Sequence, residues 1–168
     1  MTFSRFLFAA VVLILGIEAC KKDNNQTNLR ILLTDGPGDY QQVNVDIREI
    51  RVKFGQDTAQ WILLPTTAGI YNLLDFQNGI DTLIAVGSVQ TDTLKEVRFV
   101  LGPDNSVMVD SILYPLTIPS AQQSGLKVKI DKNLGFDINT FTLDFDAAQS
   151  VQIQGNGEYK LHPVIKLK

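Results

Sequence analysis

Carboxylates are the side chains of this 168-residue chain whose spacing is most suggestive of chemistry. Asp144 and Asp146 stand two apart in "TLDFDAA", and Asp35 and Asp39 flank "GPG". Residues two apart on a strand project from the same face, so Asp144 and Asp146 could offer oxygen ligands to Ca²⁺. The spacing matches no calcium loop such as the EF-hand. We therefore expect no cofactor, with Ca²⁺ at Asp144 and Asp146 as the alternative. In the interpretation that we favour, Asp35 and Asp39 shape a turn by bonding their own backbone, and Asp144 and Asp146 face water.

The sequence offers little for acid–base or nucleophilic catalysis. Its one histidine, His162, lies in "KLHPVIK" with Lys160 and Lys166 on its own strand face, which predicts a solvent-facing side chain. One histidine and one cysteine cannot assemble a zinc site of nitrogen and sulfur ligands, and the sequence has no P-loop or dinucleotide-binding motif. We predict no catalytic residues and a protein that is not an enzyme.

A polar loop and a turn are the strongest candidates for ligand contact. The segment "TIPSAQQSGLKV" places hydroxyl and amide side chains between a proline and a glycine, where they can bond sugars or peptide backbones. The turn "DGPGDY" adds two aspartates and an aromatic ring. The predicted contact residues are Asp35, Asp39, Tyr40, Ser120, Gln122, Gln123 and Ser124. The alternative for the loop, that it only connects two strands, stays open. Trp61, in "QWILLP", is expected in the core because buried aromatics dominate cores.

Apolar residues recur at every second position in most segments from Leu29 onward. The pattern is clearest in "LKVKID", "FTLDFD", "VQIQ" and "YKLHPVIKL", and turn signals such as "DGPGD", "QNG" and "GNG" separate the segments. Such alternation is typical of antiparallel sheets with one face on a core. It predicts an all-β domain, a single antiparallel β-sandwich, with a barrel as the alternative. A phase change near Arg48 and Glu49 predicts a β-bulge or a bend. Pro163 interrupts the last strand, which we expect to be an edge strand or to carry a bulge. A turn or two of helix is expected only in "LLDFQNGIDTLIA".

The first twenty residues have the pattern of an export signal. A positively charged start that ends at Arg5 precedes the apolar run "FLFAAVVLILGI", which is shorter than the roughly 20 residues that span a bilayer. The segment "IEAC" resembles a bacterial lipobox, with Ile17 three residues before Cys20 and Ala19 immediately before it, although Glu18 departs from the usual small residue. The resemblance implies cleavage before Cys20 and acylation of its thiol. The alternatives are a reactive or buried thiol and a buried N-terminal helix.

The segment that follows the cysteine, "KKDNNQTN", has no apolar residue and predicts a flexible tether. We divide the chain into a signal peptide (1–19), an acylated cysteine with its tether (20–28) and a β-sandwich domain (29–168). The run "KKD" resembles signals that display some Gram-negative lipoproteins on the outer surface. We therefore expect a protein held on the membrane through Cys20, in the cell envelope and at the outer membrane. The formal net charge of −3 and a pI of about 5.0 give no reason to expect a nucleic-acid partner.

Four stretches occur in an order that resembles one bacterial protein family. They are "LLTDGPGDYQQVNVDIREI", "GIYNLLDFQNGIDTLIA", "VRFVLGPDNSVMVDSILYPLTIPSAQQSGLKV" and "FTLDFDAAQSVQIQGNGEYKLHPVIK". Together they resemble the envelope lipoproteins of domain of unknown function 4382, over almost all of the chain after the tether. The resemblance implies an immunoglobulin- or prealbumin-like all-β sandwich that is exported and lipid-anchored. It implies no catalytic or ligand-binding residue.

These observations lead to three hypotheses for function. The first is a non-enzymatic, lipid-anchored module that binds a glycan or a partner protein at the cell envelope. The second is a structural accessory subunit of an outer-membrane complex, recruited by adding an edge strand to a partner sheet. The third is a carboxylate- or Ca²⁺-dependent enzyme. We favour the first, because the chain combines a tether and polar loops with no titratable catalytic set.

Overall fold

Alternating apolar and polar residues form strands through most of the computed structural model. The structure describes residues 25–55, 60–119 and 125–168, so the predicted signal peptide, Cys20 and the predicted contact residues Ser120, Gln122, Gln123 and Ser124 lie outside the described residues. The strands are β1 (Gln26–Thr34), β2 (Gln42–Phe54), β3 (Ile62–Leu64), β4 (Gly69–Asn72), β5 (Thr82–Gln90), β6 (Thr93–Leu101), β7 (Ser106–Val109), β8 (Ile112–Thr117), β9 (Leu126–Asn133), β10 (Asn139–Phe145), β11 (Val151–Ile153), β12 (Tyr159–Leu161) and β13 (Ile165–Leu167). A 3-10 turn at Leu73–Phe76 and a short helix, α1, at Ala147–Ser150 accompany them.

These strands form two sheets. The smaller sheet has four strands in the order β13–β10–β1–β5, and the larger has nine, in the order β11–β12–β8–β7–β2–β6–β9 with β3 and β4 paired to β2. Most neighbouring strands are antiparallel, but β1 runs parallel to β10 and β8 runs parallel to β12. The all-β prediction is confirmed, but the sheets are mixed, whereas we predicted an antiparallel sandwich. Both parallel pairs join segments that are far apart in sequence, so no local turn signal reveals them.

Both sheets contribute side chains to one hydrophobic core. In β1, Leu29, Ile31 and Leu33 are fully buried, as the alternating pattern predicts. Phe99 of the larger sheet meets Phe145 of the smaller sheet edge to face, with ring centroids 6.3 Å apart and an interplanar angle of 84°. Such a pair contributes about 0.5–1.5 kcal/mol beyond the area that it buries. The contact fixes one point at which the two sheets meet.

β2 is the longest strand, and its partner changes part-way along one edge. β6 pairs with its C-terminal part and β7 with its first residues. Between them the loop at 102–105 replaces the strand ladder, because Asn105 Oδ1 accepts a hydrogen bond from the Asp46 amide at 2.9 Å and the Gly102 amide donates to the Asp46 carbonyl at 2.8 Å. The register of β2 against β6 shifts at Arg48, which confirms the predicted bulge.

The last predicted strand is two strands that belong to different sheets. β12 ends at Leu161 in the larger sheet, and β13 begins at Ile165 in the smaller one. Pro163 lies in the crossing between them, where its missing N–H interrupts no ladder. His162 lies in the same crossing, and its backbone amide donates to the Ser150 carbonyl at 2.8 Å. The prediction of a single last strand is therefore wrong, although β13 is an edge strand of the smaller sheet.

The domain begins earlier than predicted. β1 starts at Gln26, three residues before the predicted start at Leu29, so the last residues of the predicted tether belong to the smaller sheet. The 3-10 turn at Leu73–Phe76 confirms the helical turn expected there, whereas α1 was not expected. No helix in the described part of the chain has the length and hydropathy needed to cross a membrane.

Candidate functional site

The first aspartate of the "DGPGDY" turn is buried and bonded to distant parts of the chain. Only 4% of Asp35 is exposed. Its Oδ1 accepts a hydrogen bond from the Ala147 amide at 2.9 Å, and its Oδ2 accepts one from Gln77 Nε2 at 3.1 Å. Burial raises the pKa of this carboxyl, the two hydrogen bonds oppose the rise, and the nearby carboxylates of Asp144 and Asp146 add to it. Asp35 therefore ties its turn to two other segments, instead of bonding its own turn as predicted.

Asp144 and Asp146 do not share a strand face, contrary to the prediction. β10 ends at Phe145, and Asp146 is the N-cap of α1, where its side chain accepts a hydrogen bond from the Gln149 amide at 2.9 Å. Asp144 remains on β10 opposite Thr34, and its buried Oδ1 has no hydrogen-bond partner among the described residues. Within residues 25–55, 60–119 and 125–168, no three His, Cys, Asp or Glu side chains are grouped to hold a metal ion. The predicted pair is thus divided between a strand and a helix cap.

Tyr40, the last residue of the turn, is partly buried near a pair of tyrosines. Its side chain is partly buried against the core, and burial raises its pKa with a smaller contribution from Tyr159. The rings of Tyr114 and Tyr159 have centroids 5.0 Å apart and are tilted by 40°. These two residues line a pocket of about 240 Å³ beside Pro115. Asp39, which precedes Tyr40, is exposed.

A larger pocket of about 360 Å³ adjoins the tyrosine pocket and shares Pro115 and Thr117 with it. We call the two pockets together the β8 groove. The remaining lining residues of the larger pocket are Leu101, Gly102, Pro103, Asn105, Leu116 and Ile118. Among the described residues that line the β8 groove, only Glu158 is charged. The groove is therefore mainly apolar and suits an uncharged ligand better than an ionic one.

The outer face of the larger sheet carries a row of three cations. Arg51 of β2 lies directly opposite Arg98 of β6, and Arg98 lies directly opposite Lys127 of β9. Like charges that face each other across strands disfavour the pairing. Among the described residues, neither Arg98 nor Lys127 takes part in a salt bridge, whereas Arg51 Nη2 lies 2.6 Å from Glu49 Oε2. The row is therefore a concentration of charge that strand pairing alone does not favour.

The adjoining row places Lys53 and Lys129 on either side of Glu96. Lys53 Nζ lies 3.4 Å from Glu96 Oε2, and the Lys129 side chain is 82% exposed. We call the five cations of the two rows the basic face: Arg51, Lys53, Arg98, Lys127 and Lys129. The two rows contain five cations and one acidic residue, and beside the rows Asp131 pairs with Lys129 at 3.0 Å as Glu49 does with Arg51.

Trp61 lies against the basic face. The guanidinium carbon of Arg98 is 4.0 Å from the centroid of the Trp61 ring, and Lys53 Nζ is 5.7 Å from it. Both distances are within the range of cation–π attraction. Leu63, which pairs with Arg51 and is 57% exposed, extends the apolar part of this surface. Trp61 is only partly buried, so the prediction that it belongs to the core is wrong.

Comparison with known proteins places the chain in a family. The family model described as Domain of unknown function (DUF4382) matches residues 26–163. The chain belongs to this family. The resemblance found in the sequence is thereby confirmed. No curated protein matches the chain, and no solved structure matches it.

The basic face of this DUF4382 protein is a feature that sequence reasoning missed. Its residues stand at the polar positions of alternating strands, where Lys and Arg are common on any solvated sheet. The local signal was present in "IRVKF" and "LKVKID", which each place two cations two residues apart. What turns them into rows is the register of three strands, and that register depends on pairings between distant segments.

Proposed function

We propose that this protein is a lipid-anchored binding module of the cell envelope that holds an acidic glycan against its basic face. The observation that carries this proposal is the row of Arg51, Arg98 and Lys127, placed directly opposite one another across three strands. Like charges in such positions weaken strand pairing by about 0.2–1 kcal/mol per pair. Carboxylate or sulfate groups of a bound glycan would offset this repulsion. Ligand binding would therefore explain why three cations lie opposite one another.

Trp61 supports a sugar as the bearer of those anionic groups. The Arg98 guanidinium carbon lies over the ring, 4.0 Å from its centroid, so a sugar would pack on the face of the ring that Arg98 does not cover. A sugar ring can pack its C–H face on an aromatic ring while arginine forks bond a carboxylate in two places. Small ligands favour concave pockets, whereas the basic face lies on the surface of a sheet. The arrangement therefore favours an extended polysaccharide over a single small sugar.

The anchoring part of the proposal rests on residues 1–28. Acylation of Cys20 by more than one chain would make attachment lasting, because each buried methylene contributes about 0.8 kcal/mol. β1 begins at Gln26, so residues 21–25 would be the whole tether. We further propose an immunoglobulin- or prealbumin-like sandwich at the outer membrane. The single core and the contact between Phe99 and Phe145 support the sandwich.

The first test measures binding of polygalacturonate to the detergent-solubilised, acylated protein by calorimetry. We expect binding to polygalacturonate and none to dextran, a neutral polysaccharide. Substituting Arg98→Ala and Lys127→Ala should weaken binding by about tenfold for each cation removed, which corresponds to about 1.4 kcal/mol. Salt at about 0.5 M should weaken it further, because surface charges are then screened over a few ångströms.

The matched control is Lys166→Ala, which removes one exposed lysine from the smaller sheet. It should leave the affinity for polygalacturonate unchanged. Equal affinities for dextran and polygalacturonate would contradict the proposal. So would a variant lacking Arg98 and Lys127 that binds as tightly as the unaltered protein.

A second variant separates sugar recognition from bare charge attraction. Trp61→Ala removes the stacking surface and the cation–π contacts to Arg98 and Lys53, but leaves the number of cations on the basic face unchanged. It should weaken binding to polygalacturonate while leaving binding to polyphosphate nearly unchanged, since polyphosphate has no sugar ring to stack. Equal losses for both polymers would show that the face recognises charge alone.

A further inference from the structure

The loop between β9 and β10 displays two large apolar side chains to solvent. Phe136 is 73% exposed and Ile138 is 61% exposed, and no other large apolar side chain in the described residues is as exposed as Phe136. We call these two residues the apolar tip. Isolated exposed apolar residues are common, but two large apolar side chains exposed on a single loop indicate a surface that binds something.

The loop that carries the apolar tip is bonded into a defined shape. The Thr27 hydroxyl of β1 donates to the Asp137 carbonyl, and Asn139 Nδ2 donates to the same carbonyl at 2.9 Å and to Thr27 Oγ1 at 2.8 Å. The Asn139 side chain also accepts a hydrogen bond from the Gly135 amide and donates to the Gly135 carbonyl, both at 3.0 Å. These hydrogen bonds fix the backbone of the loop in a conformation that exposes Phe136 and Ile138 to solvent.

The apolar tip lies beside the point at which the chain enters the domain. Gln26, Thr27 and Asn28 of β1 line the same pocket of about 450 Å³ as Phe136 and Ile138. Six residue steps separate Cys20 from Gln26, and they span at most about 20 Å when fully extended. A lipid attached to Cys20 would therefore keep this end of the domain close to the membrane surface.

We propose that the apolar tip inserts into the lipid surface that carries the anchor, so that the domain stands on the membrane at this end. This inference rests on the proposed acylation of Cys20. Two apolar side chains alone would bind a bilayer weakly, but the tether makes their insertion an intramolecular step with a high effective concentration. The "DGPGDY" turn, at the other end of the nine-residue strand β1, then points away from the membrane.

The test exploits the single cysteine of the chain. Acylation consumes the Cys20 thiol, so Ile138→Cys introduces the one thiol that a fluorophore can label. The acylated protein is placed in vesicles of phosphatidylethanolamine and phosphatidylglycerol that contain nitroxide-labelled lipid. The nitroxide should quench a fluorophore at position 138 but not one at Leu113→Cys, a matched apolar position that is 54% exposed on β8.

Two results of this experiment would overturn the docking alone. One is an acylated, vesicle-bound protein in which neither position is quenched, and the other is equal quenching at both. A protein without the acyl mass would instead overturn the anchor, and with it the docking that depends on the anchor. Mass spectrometry of the purified protein, before it is mixed with vesicles, distinguishes these failures.

A second set of variants tests whether the apolar tip itself holds the domain down. The fluorophore is moved to Gln90→Cys, an exposed position that pairs with Gln26 at the same end. Phe136→Ser with Ile138→Ser should reduce its quenching, whereas the matched pair Ile112→Ser with Leu113→Ser should not. Undiminished quenching in the tip variant would overturn the proposal, because the anchor alone would then account for the position of this end.

Discussion

Asp35 is a buried carboxyl that accepts two hydrogen bonds, yet its pKa is raised. Burial disfavours its charged form by more than the bonds from Ala147 and Gln77 favour it. A raised pKa means that the folded protein binds this proton more tightly than the unfolded chain does. The free energy of unfolding should therefore fall as pH rises from the ordinary Asp value of 3.8 through the higher folded value, and Asp35 should cause no further change above it.

Asp35→Asn should remove this pH dependence, since the amide cannot ionise and its oxygen can still accept from the Ala147 amide. The unfolding free energy of the unaltered protein minus that of the variant should decrease as pH rises from 3.8 through the raised folded pKa of Asp35, and then stay constant. Urea denaturation at several pH values measures this difference, in which the other titrating groups largely cancel. Asp39→Asn, in the exposed part of the same turn, is the control and should change stability by less than about 0.5 kcal/mol. A difference for Asp35→Asn that stays constant or grows with pH would be inconsistent with a raised pKa.

Among the structural elements, the loop at 102–105 determines how β2 changes partner. It covers the Asp46 carboxylate, which is 1% exposed and whose Oδ1 lies 2.7 Å from Arg48 Nε. A Cβ on Gly102 would lie 2.5 Å from Arg48 Nε and closer still to Asp46 Oδ2. Gly102→Ala should displace this ion pair and lower the free energy of unfolding by about 2 kcal/mol or more, as measured by urea denaturation.

The control for this prediction is Gly155→Ala, in the connection between β11 and β12. A Cβ at Gly155 meets no atom within 4 Å, so the change should alter stability by less than about 0.5 kcal/mol. If Gly102→Ala were as mild as Gly155→Ala, the close packing of the loop on Asp46 would be disproved.

The edges of the two sheets bear on the hypothesis of a subunit recruited by strand addition. β11 and β13 are three residues long, and β9 carries Lys127, Lys129 and Lys132 along an edge. The edge of β5 is covered part-way, because the Val86 amide donates to the Pro65 carbonyl at 3.0 Å. Short, charged or covered edges oppose pairing with another strand. They give strand addition no support, so a binding face is the better hypothesis.

The local sequence pattern was sufficient to predict structural elements that depend only on neighbouring residues. A period of two revealed the strands, the phase change located the bulge at Arg48, and "QNG" marked a turn in which Asn78 and Gly79 have positive φ angles of 58° and 86°. Other features depend on contacts between distant segments. The alternation in "LDFDAA" runs through Asp146 even though the strand has ended, so the pattern does not distinguish a helix cap from a strand. Likewise, nothing local around Pro163 shows that the chain crosses from one sheet to the other.

In the whole molecule, one hydrophobic core lies between the sheet that carries the basic face and the sheet that contains β1. β1 begins beside the apolar tip in the smaller sheet, while Trp61 and the basic face lie on the outer surface of the larger sheet. Phe145 of β10 is fully buried and meets Phe99 of β6 across this core. Because the sheets share their buried side chains, neither has a separate core to keep it folded alone, and we expect them to unfold together.

Trp61 makes this expectation measurable, because it is the only tryptophan of the chain and reports on the larger sheet. Phe145→Ala, in the smaller sheet, should lower the free energy of unfolding by about 3–5 kcal/mol. The urea midpoint seen by Trp61 fluorescence should fall as far as the midpoint seen by far-ultraviolet circular dichroism. Thr140→Ala, an exposed position on the same strand, should leave both midpoints nearly unchanged. If Phe145→Ala instead left the fluorescence transition in place, the larger sheet would be stable without its partner. The basic face would then fold independently of β1 and its sheet.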